Sequence, residues 1–184
     1  TYLCFFNTEL MTSNKNLVLI GMMGSGKSTV GGELAQELKL GFIDTDKEIE
    51  KLEKKTIKKI FDINGEHYFR KIEEKIVLDK LNLSRKIIAL GGGSYLNNEV
   101  RKHSKKKSFV IWLHWENDTL INRISKNKKR PKIVNLSKRE LHNLINDRNL
   151  VYKQADFKLN CESLNKSQII EKLKFIYENK ITKS

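Results

Sequence analysis

At 184 residues, with 39% hydrophobic and 32% charged residues, the chain fits one soluble globular domain with a sizeable core. No apolar run approaches the ~18 residues that a membrane-crossing helix needs, so no membrane partner is expected. The net charge of +14 invites a nucleic-acid reading, but 29 of the 36 basic residues are lysines spread along the chain and interleaved with acids; that is a solvated surface, and no nucleic-acid partner is expected.

Residues 1–16 do not read as fold. Leu3 to Phe6 is apolar but short, carries no basic flank and is soon followed by Glu9, so a cleaved signal is not expected. Met11 stands just before the first strand as a candidate start, which would make the preceding residues a disordered extension. Cys4 and Cys161 match no metal or redox spacing and point to a reducing, cytoplasmic compartment. The four histidines show no ligand spacing.

Leu17 to Ile20 is a short apolar run, long enough for one buried strand. It breaks at Gly21, and Gly21, Gly24, Gly26, Lys27 and Ser28 fit G-x-x-x-x-G-K-[ST], the phosphate-binding loop. Glycines let consecutive N–H groups turn toward one anion, and the helix that starts near Lys27 adds its positive dipole end. Lys27 would reach the β- and γ-phosphates, and the Ser28 hydroxyl would ligate Mg²⁺. The motif implies a nucleoside triphosphate and is silent on what receives the phosphate.

Val30, Leu34, Leu38 and Leu40 then follow in helical spacing up to Gly41. Phe42-Ile43 is a short strand ending in Asp44-Thr45-Asp46. Two carboxylates at a strand end can face a metal and a substrate separately, or simply cap a turn or helix. Ile49, Leu52, Ile57, Ile60 and Phe61 continue in helical spacing, and Phe69, Ile72, Ile76 and Leu83 form the apolar stripe of a long helix. Arg70 and Glu73 lie one turn apart on it, as a functional pair or a solvated one. Ile87 to Leu90 is a buried strand followed by Gly91-Gly92-Gly93, which permits close approach of backbone to a ligand or a flexible turn.

Phe109 to Leu113 is another strand, with Trp112 in the core, and Leu120, Ile121 and Ile124 mark a helix that carries Arg123. Lys126 to Leu136 lacks periodicity, holds the one proline, Pro131, and reads as a mobile basic loop. Ser137 and Glu140 form a capping box for a helix with Leu141, Leu144 and Ile145 that passes Arg148 and Tyr152. Phe157 to Asn160 is the last strand and Lys166 to Glu178 the closing helix. Alternating strands and helices predict an α/β fold, a parallel sheet with helices on both faces.

Six of these stretches occur together and in order: GMMGSGKST, FIDTD, GEHYFRKIEE, ALGGG, the pair Arg123 and Arg130-Pro131, and RNLVY. In this the chain resembles shikimate kinases over nearly everything after Asn16. The resemblance implies a five-stranded parallel sheet of order 2-3-1-4-5, as in nucleoside monophosphate kinases, with a lid loop. It implies transfer of phosphate from ATP, with Mg²⁺, to the 3-hydroxyl of shikimate in aromatic amino-acid biosynthesis, by a monomer. Another small-molecule kinase of this fold, such as a gluconate kinase, is the alternative reading.

By the same resemblance, Lys27, Asp46 and Arg130 would be catalytic. Gly24, Ser25, Gly26, Lys27, Ser28 and Thr29 would hold the nucleotide, with Arg123 flanking the adenine and Arg130 coming from the lid onto the phosphates. Asp46, Arg70, Gly91, Gly92, Gly93 and Arg148 would hold shikimate, the two arginines on its carboxylate, with Glu73 steadying Arg70. Ser28 and Asp44 would hold the metal. Composition supports this separately: of only seven arginines, four fall at these positions, and lysine cannot copy arginine's planar fork.

Overall fold

The computed structural model of the protein describes residues 14–126 and 136–181. Five strands form one sheet: β1 (Asn16–Ile20), β2 (Gly41–Asp44), β3 (Lys86–Ala89), β4 (Ser108–His114) and β5 (Phe157–Asn160). All pairings are parallel and the order is β2-β3-β1-β4-β5, as expected.

The sheet is covered on both faces, and β1 shows how. All five of its residues are buried. Leu17 and Leu19 point to one face, where they join Val30 and Leu34 of α1 (Lys27–Glu37), Leu120 and Ile124 of α5 (Asn117–Ser125), and Ile169 and Leu173 of α7 (Lys166–Ile176). Val18 and Ile20 point to the other, against Val77 and Leu81 of α3 (Ile57–Leu81) and Val100 of α4 (Asn98–Lys107). Period-two alternation in a strand buried on both sides gives the continuous apolar run that was read in the sequence. The helix α6 (Lys138–Tyr152) serves both layers, with Leu141 and Ile145 in the first core and Tyr152 in the second. A third, smaller core of Ile49, Ile57, Ile60, Phe69 and Ile76 joins α2 (Thr45–Glu53) to α3.

Several expectations are corrected in detail. Asn16 belongs to β1 rather than to an extension: its amide donates to the carbonyls of Leu81 and Leu83 at 3.2 and 2.6 Å, and its Oδ1 accepts from Lys86 N at 2.9 Å. A polar side chain is stable there because each of those hydrogen bonds replaces one to water. Leu52 is exposed, at 63%, because it lies on the face of α2 away from the core, and Leu83, at 42%, falls beyond the end of α3 at Leu81 rather than on its apolar stripe. The run Ile49 to Phe61 is two helices: α2 ends at Lys54, a left-handed residue with φ 52°, and α3 restarts under a Thr56 cap. Within α3, Gly65 (φ 81°) breaks the helical path just before the segment that carries Arg70 and Glu73. The helix α4 was not anticipated; its Val100 and Ser104 alone are buried and the rest is basic and polar, so no apolar stripe marks it. The Ser137–Glu140 capping box forms in both directions, and Asn165 with Gln168 caps α7 in the same way.

The expectations for Cys4, Met11 and the extension, and for the loop with Lys126 to Leu136, fall mainly on residues 1–13 and 127–135, outside the described residues, as does Arg130. Among the described residues, no helix is long and apolar enough to cross a membrane.

Candidate functional site

In a parallel sheet, the loops that leave the C-terminal ends of neighbouring strands meet along one edge. Here that edge collects residues 21–26 after β1, Asp44 to Asp46 after β2, Gly91 to Ser94 after β3 and Trp115 after β4.

The loop after β1 is a cradle of backbone. Gly24 and Gly26 take φ values of 77° and 92°, a conformation that side-chain-bearing residues rarely adopt. Gly26 is the N-cap of α1, which opens at Lys27. The Lys27 ammonium is folded back into the loop: it donates to Gly21 O at 2.8 Å, Met22 O at 3.0 Å and Ser25 Oγ at 3.3 Å. A cavity of about 420 Å³ opens beside it, lined by Gly24, Gly26, Lys27, Ser28, Thr29, Asp44, Asp46 and Gly92 among others. These parts fit a triphosphate: N–H groups, a helix N-terminus and one cation face a common space. Ser28 and Asp44 bring hard oxygen donors to the same cavity, the donor type that Mg²⁺ takes while keeping several waters. Ser25 lies behind the cradle, 1% exposed, with its side chain turned to Lys27.

Asp44 takes both readings of an acid at a strand end. Its Oδ1 caps α2, accepting from the N–H groups of Asp46 and Lys47 at 3.1 and 3.3 Å, while the residue also lines the cavity. Thr45, between the two acids, is fully buried and was not singled out. Its Oγ1 donates to Ala89 O at 3.3 Å and accepts from Gly91 N at 3.0 Å, tying the end of β2 to the glycine turn. The Gly91 N–H is thus already engaged by Thr45, so the expected donation from this turn to a substrate would fall to Gly92 and Gly93. Gly91 also meets a packing demand. A Cβ there would lie 2.5 Å from Asp46 Oδ1 and 3.1 Å from Glu73 Oε1.

Two arginines from different helices meet the glycine turn. Arg148 on α6 is 9% exposed, and its Nη1 donates to Gly92 O at 3.2 Å and lies 3.3 Å from Met22 Sδ. The Tyr152 hydroxyl donates to the same carbonyl. Arg70 on α3 approaches Gly93 so closely that a Cβ would fall 2.7 Å from its Nη1. Arg70 Nη1 donates to Glu73 Oε2 at 2.6 Å, and Glu73 Oε1 accepts from Ser94 Oγ at 2.7 Å. The Glu73 side chain is 5% exposed, so this is no solvated pair. Burial is the largest influence and works against the Arg70 charge, but Glu73 and Glu66 together outweigh it and hold the guanidinium above its ordinary range. Arg70, Glu73, Gly93, Ser94 and Arg148 line a second cavity of about 490 Å³. Gly92 and Gly93 thus stand between a phosphate cradle and a pocket of mixed charge, in which Arg70 and Arg148 are the two groups able to take a small carboxylate and Glu66, Glu73, Glu74 and Asp147 are the acids around them.

Arg123 reaches the outer side of the first loop, donating to Gly24 O at 3.3 Å. It lies on Trp115, with the guanidinium 3.5 Å from the ring centroid. Trp115 was missed by the sequence reading; the available signal was a tryptophan at the C-terminal end of a strand, where ligand-side residues sit.

The shikimate kinase family model matches residues 23–176. The chain is 36% identical over 160 residues to a shikimate kinase of Rhizobium meliloti (strain 1021), covering 86% of this chain and 83% of the relative. It is 36% identical over 159 residues to one of Persephonella marina, covering 86% and 96%. Among solved structures, a shikimate kinase from Acinetobacter baumannii in complex with shikimate matches with a TM-score of 0.84 at 29% identity, over 91% of this chain and 95% of that one. A shikimate kinase from Aquifex aeolicus matches at 0.79 and 31% identity, over 89% and 96%. A deoxyadenosine kinase from M. mycoides, at 0.57 and 19% identity, shares the fold alone.

Proposed function

This chain belongs to the shikimate kinase family, and on that premise we propose that it transfers the γ-phosphoryl group of ATP to the 3-hydroxyl of shikimate, giving shikimate 3-phosphate and ADP on the path to aromatic amino acids. The observation that carries this reading is the convergence of Arg70 and Arg148 on the glycine turn beside the phosphate cradle. A carboxylate held by two guanidinium forks would set the ring of the acceptor, and with it one hydroxyl, at the wall shared with the first cavity.

Such a transfer asks little covalent work of the protein; it needs alignment and charge. Asp46, which lines the first cavity, would orient the acceptor hydroxyl and take its proton as the new O–P bond forms and the bond to ADP breaks. Lys27 would leave its loop carbonyls for the phosphates. Gly24, Gly26, Ser28 and Thr29 would hold the phosphate chain, with Ser25 contributing through its backbone. Ser28 and Asp44 would hold Mg²⁺, which when bound neutralises charge on the phosphates. Arg123 would flank the base, and Arg130, outside the described residues, would bring a further cation to the phosphates. Gly92 and Gly93 would offer N–H groups to the acceptor, and Glu73 would fix Arg70. Action as a monomer in the cytoplasm belongs to the same proposal.

The test is a coupled ADP-release assay with shikimate, gluconate and nucleoside monophosphates as acceptors. Turnover is expected with shikimate. Turnover with gluconate or a nucleotide, and none with shikimate, would overturn the reading.

A further inference from the structure

Trp115 is 5% exposed and sits directly after β4, at the sheet edge where the loops gather. Its indole Nε1–H donates to Ser25 O at 3.0 Å. The face of the same ring carries Arg123, 3.5 Å away, and Arg123 Nη1 donates to Gly24 O at 3.3 Å. Two consecutive carbonyls of the phosphate cradle are therefore held from outside by a stacked pair. The Ser25 N–H is closed within the loop on Met22 O at 3.2 Å, and the peptide whose carbonyl Trp115 holds carries the Gly26 N–H at the start of α1, so the tether fixes the orientation of that N–H. A buried indole always seeks a partner for its N–H, but any core carbonyl would serve that need. Here the partner is the loop that holds the phosphates, ninety residues away in the chain. Phenylalanine would fill most of the same core volume without the tether.

We propose that Trp115 is a positioning residue for the nucleotide. It pre-forms the cradle through Ser25 and fixes the plane and reach of the Arg123 guanidinium through stacking, so that the order of both is settled before ATP arrives. The proposal rests on the reading of the first cavity and Arg123 as the nucleotide site, and it is independent of the acceptor.

The experiment uses the full chain and two variants, Trp115→Phe and Trp115→Leu. Trp115→Phe keeps a ring under Arg123 and drops the N–H; Trp115→Leu drops both. ADP and ATP dissociation constants are measured by calorimetry, with KM for each substrate and kcat. One lost hydrogen bond should raise the ADP dissociation constant roughly threefold to tenfold in Trp115→Phe, and loss of the cation–π contact as well should raise it roughly thirtyfold in Trp115→Leu. The KM for shikimate should stay within about twofold, because neither contact touches the second cavity. Trp115→Leu and Arg123→Ala should be less than additive in the double variant, since each removes the same stack. An unchanged ADP constant in both variants, or strictly additive effects, would overturn the proposal. If Trp115→Leu fails to fold, Trp115→Phe decides alone: a rise in the ADP dissociation constant with an unchanged KM for shikimate supports the proposal, and an unchanged ADP constant overturns it. A chain that binds ADP as described but does not phosphorylate shikimate would sink the proposed reaction and leave the Trp115 result standing.

Discussion

Arg148 and Tyr152, four residues apart on α6, share one acceptor, the carbonyl of Gly92. That carbonyl belongs to the turn between the two cavities, so the pair fixes both the arginine and the wall it serves. Tyr152→Phe removes one donor and leaves the other. It should cost about 1 kcal/mol of positioning, seen as a roughly fivefold rise in KM for shikimate with KM for ATP unchanged. Arg148→Lys keeps the charge and loses the fork; shikimate affinity should fall about tenfold or more. Titration that shows ATP affinity falling instead would assign Arg148 to the nucleotide, through its contact with Met22.

Lys27→Ala tests the cradle. Lys27 makes three hydrogen bonds to loop oxygens, and its loss leaves two carbonyls without that donor. The stability cost should be about 1–2 kcal/mol, or about 2–8 °C in melting temperature for a chain of this size. The effect on kcat should be far larger, about a hundredfold or more, because the charge acts where negative charge develops. Near-wild-type turnover in a folded Lys27→Ala protein would defeat the assignment.

Glu73→Gln separates charge from shape. Glu73 is 4% exposed and accepts from both Arg70 and Ser94. Glutamine occupies the same space, yet its amide cannot accept from two donors on two charged oxygens, and Arg70 keeps only the exposed Glu66, 3.2 Å from its Nη2, as a counter-charge. Because Arg70 is part-exposed, the loss should be nearer about 2 kcal/mol than the full cost of breaking a buried pair. Denaturant midpoints check the stability. The KM for shikimate should rise in the same variant, while an unchanged KM would mean that Glu73 is structural only.

Cys161 gives a pH prediction. Burial pushes its thiol from 9.0 up to about 12. The folded state therefore keeps the proton that the unfolded state releases above about 9, so the contribution is complete below that pH and is lost as the pH climbs toward about 12. In this window wild-type stability should fall more steeply than that of Cys161→Ala, by up to about 1.4 kcal/mol per pH unit. At pH 8 the folded thiol should resist alkylation, with peptide mapping showing modification of Cys161 only after unfolding.

What the sequence determined by itself was whatever depends on neighbours along the chain. The phosphate loop was legible because each glycine and the following Lys27-Ser28 answer to local backbone geometry. The three central strands were legible because runs of apolar residues suit a sheet buried on both faces, the edge strands β2 and β5 more weakly, from Phe42-Ile43 and from Phe157 to Asn160 between helices, and the Ser137–Glu140 cap because its two partners lie in one turn. The tertiary structure decided the rest. Leu52 and Leu83 share the helical spacing of buried residues and are exposed: Leu52 because period does not say what covers a face, Leu83 because α3 ends at Leu81, before the spacing does. The helix α4 escaped because only two of its residues are buried. The contacts that build the site join Gly92 to Arg148, Thr45 to Gly91 and Trp115 to Ser25, pairs 56, 46 and 90 residues apart. Nothing in local spacing encodes such pairs. They exist because parallel pairing sets β3, β1 and β4 side by side, so loops remote in the chain leave the sheet a few ångströms from one another.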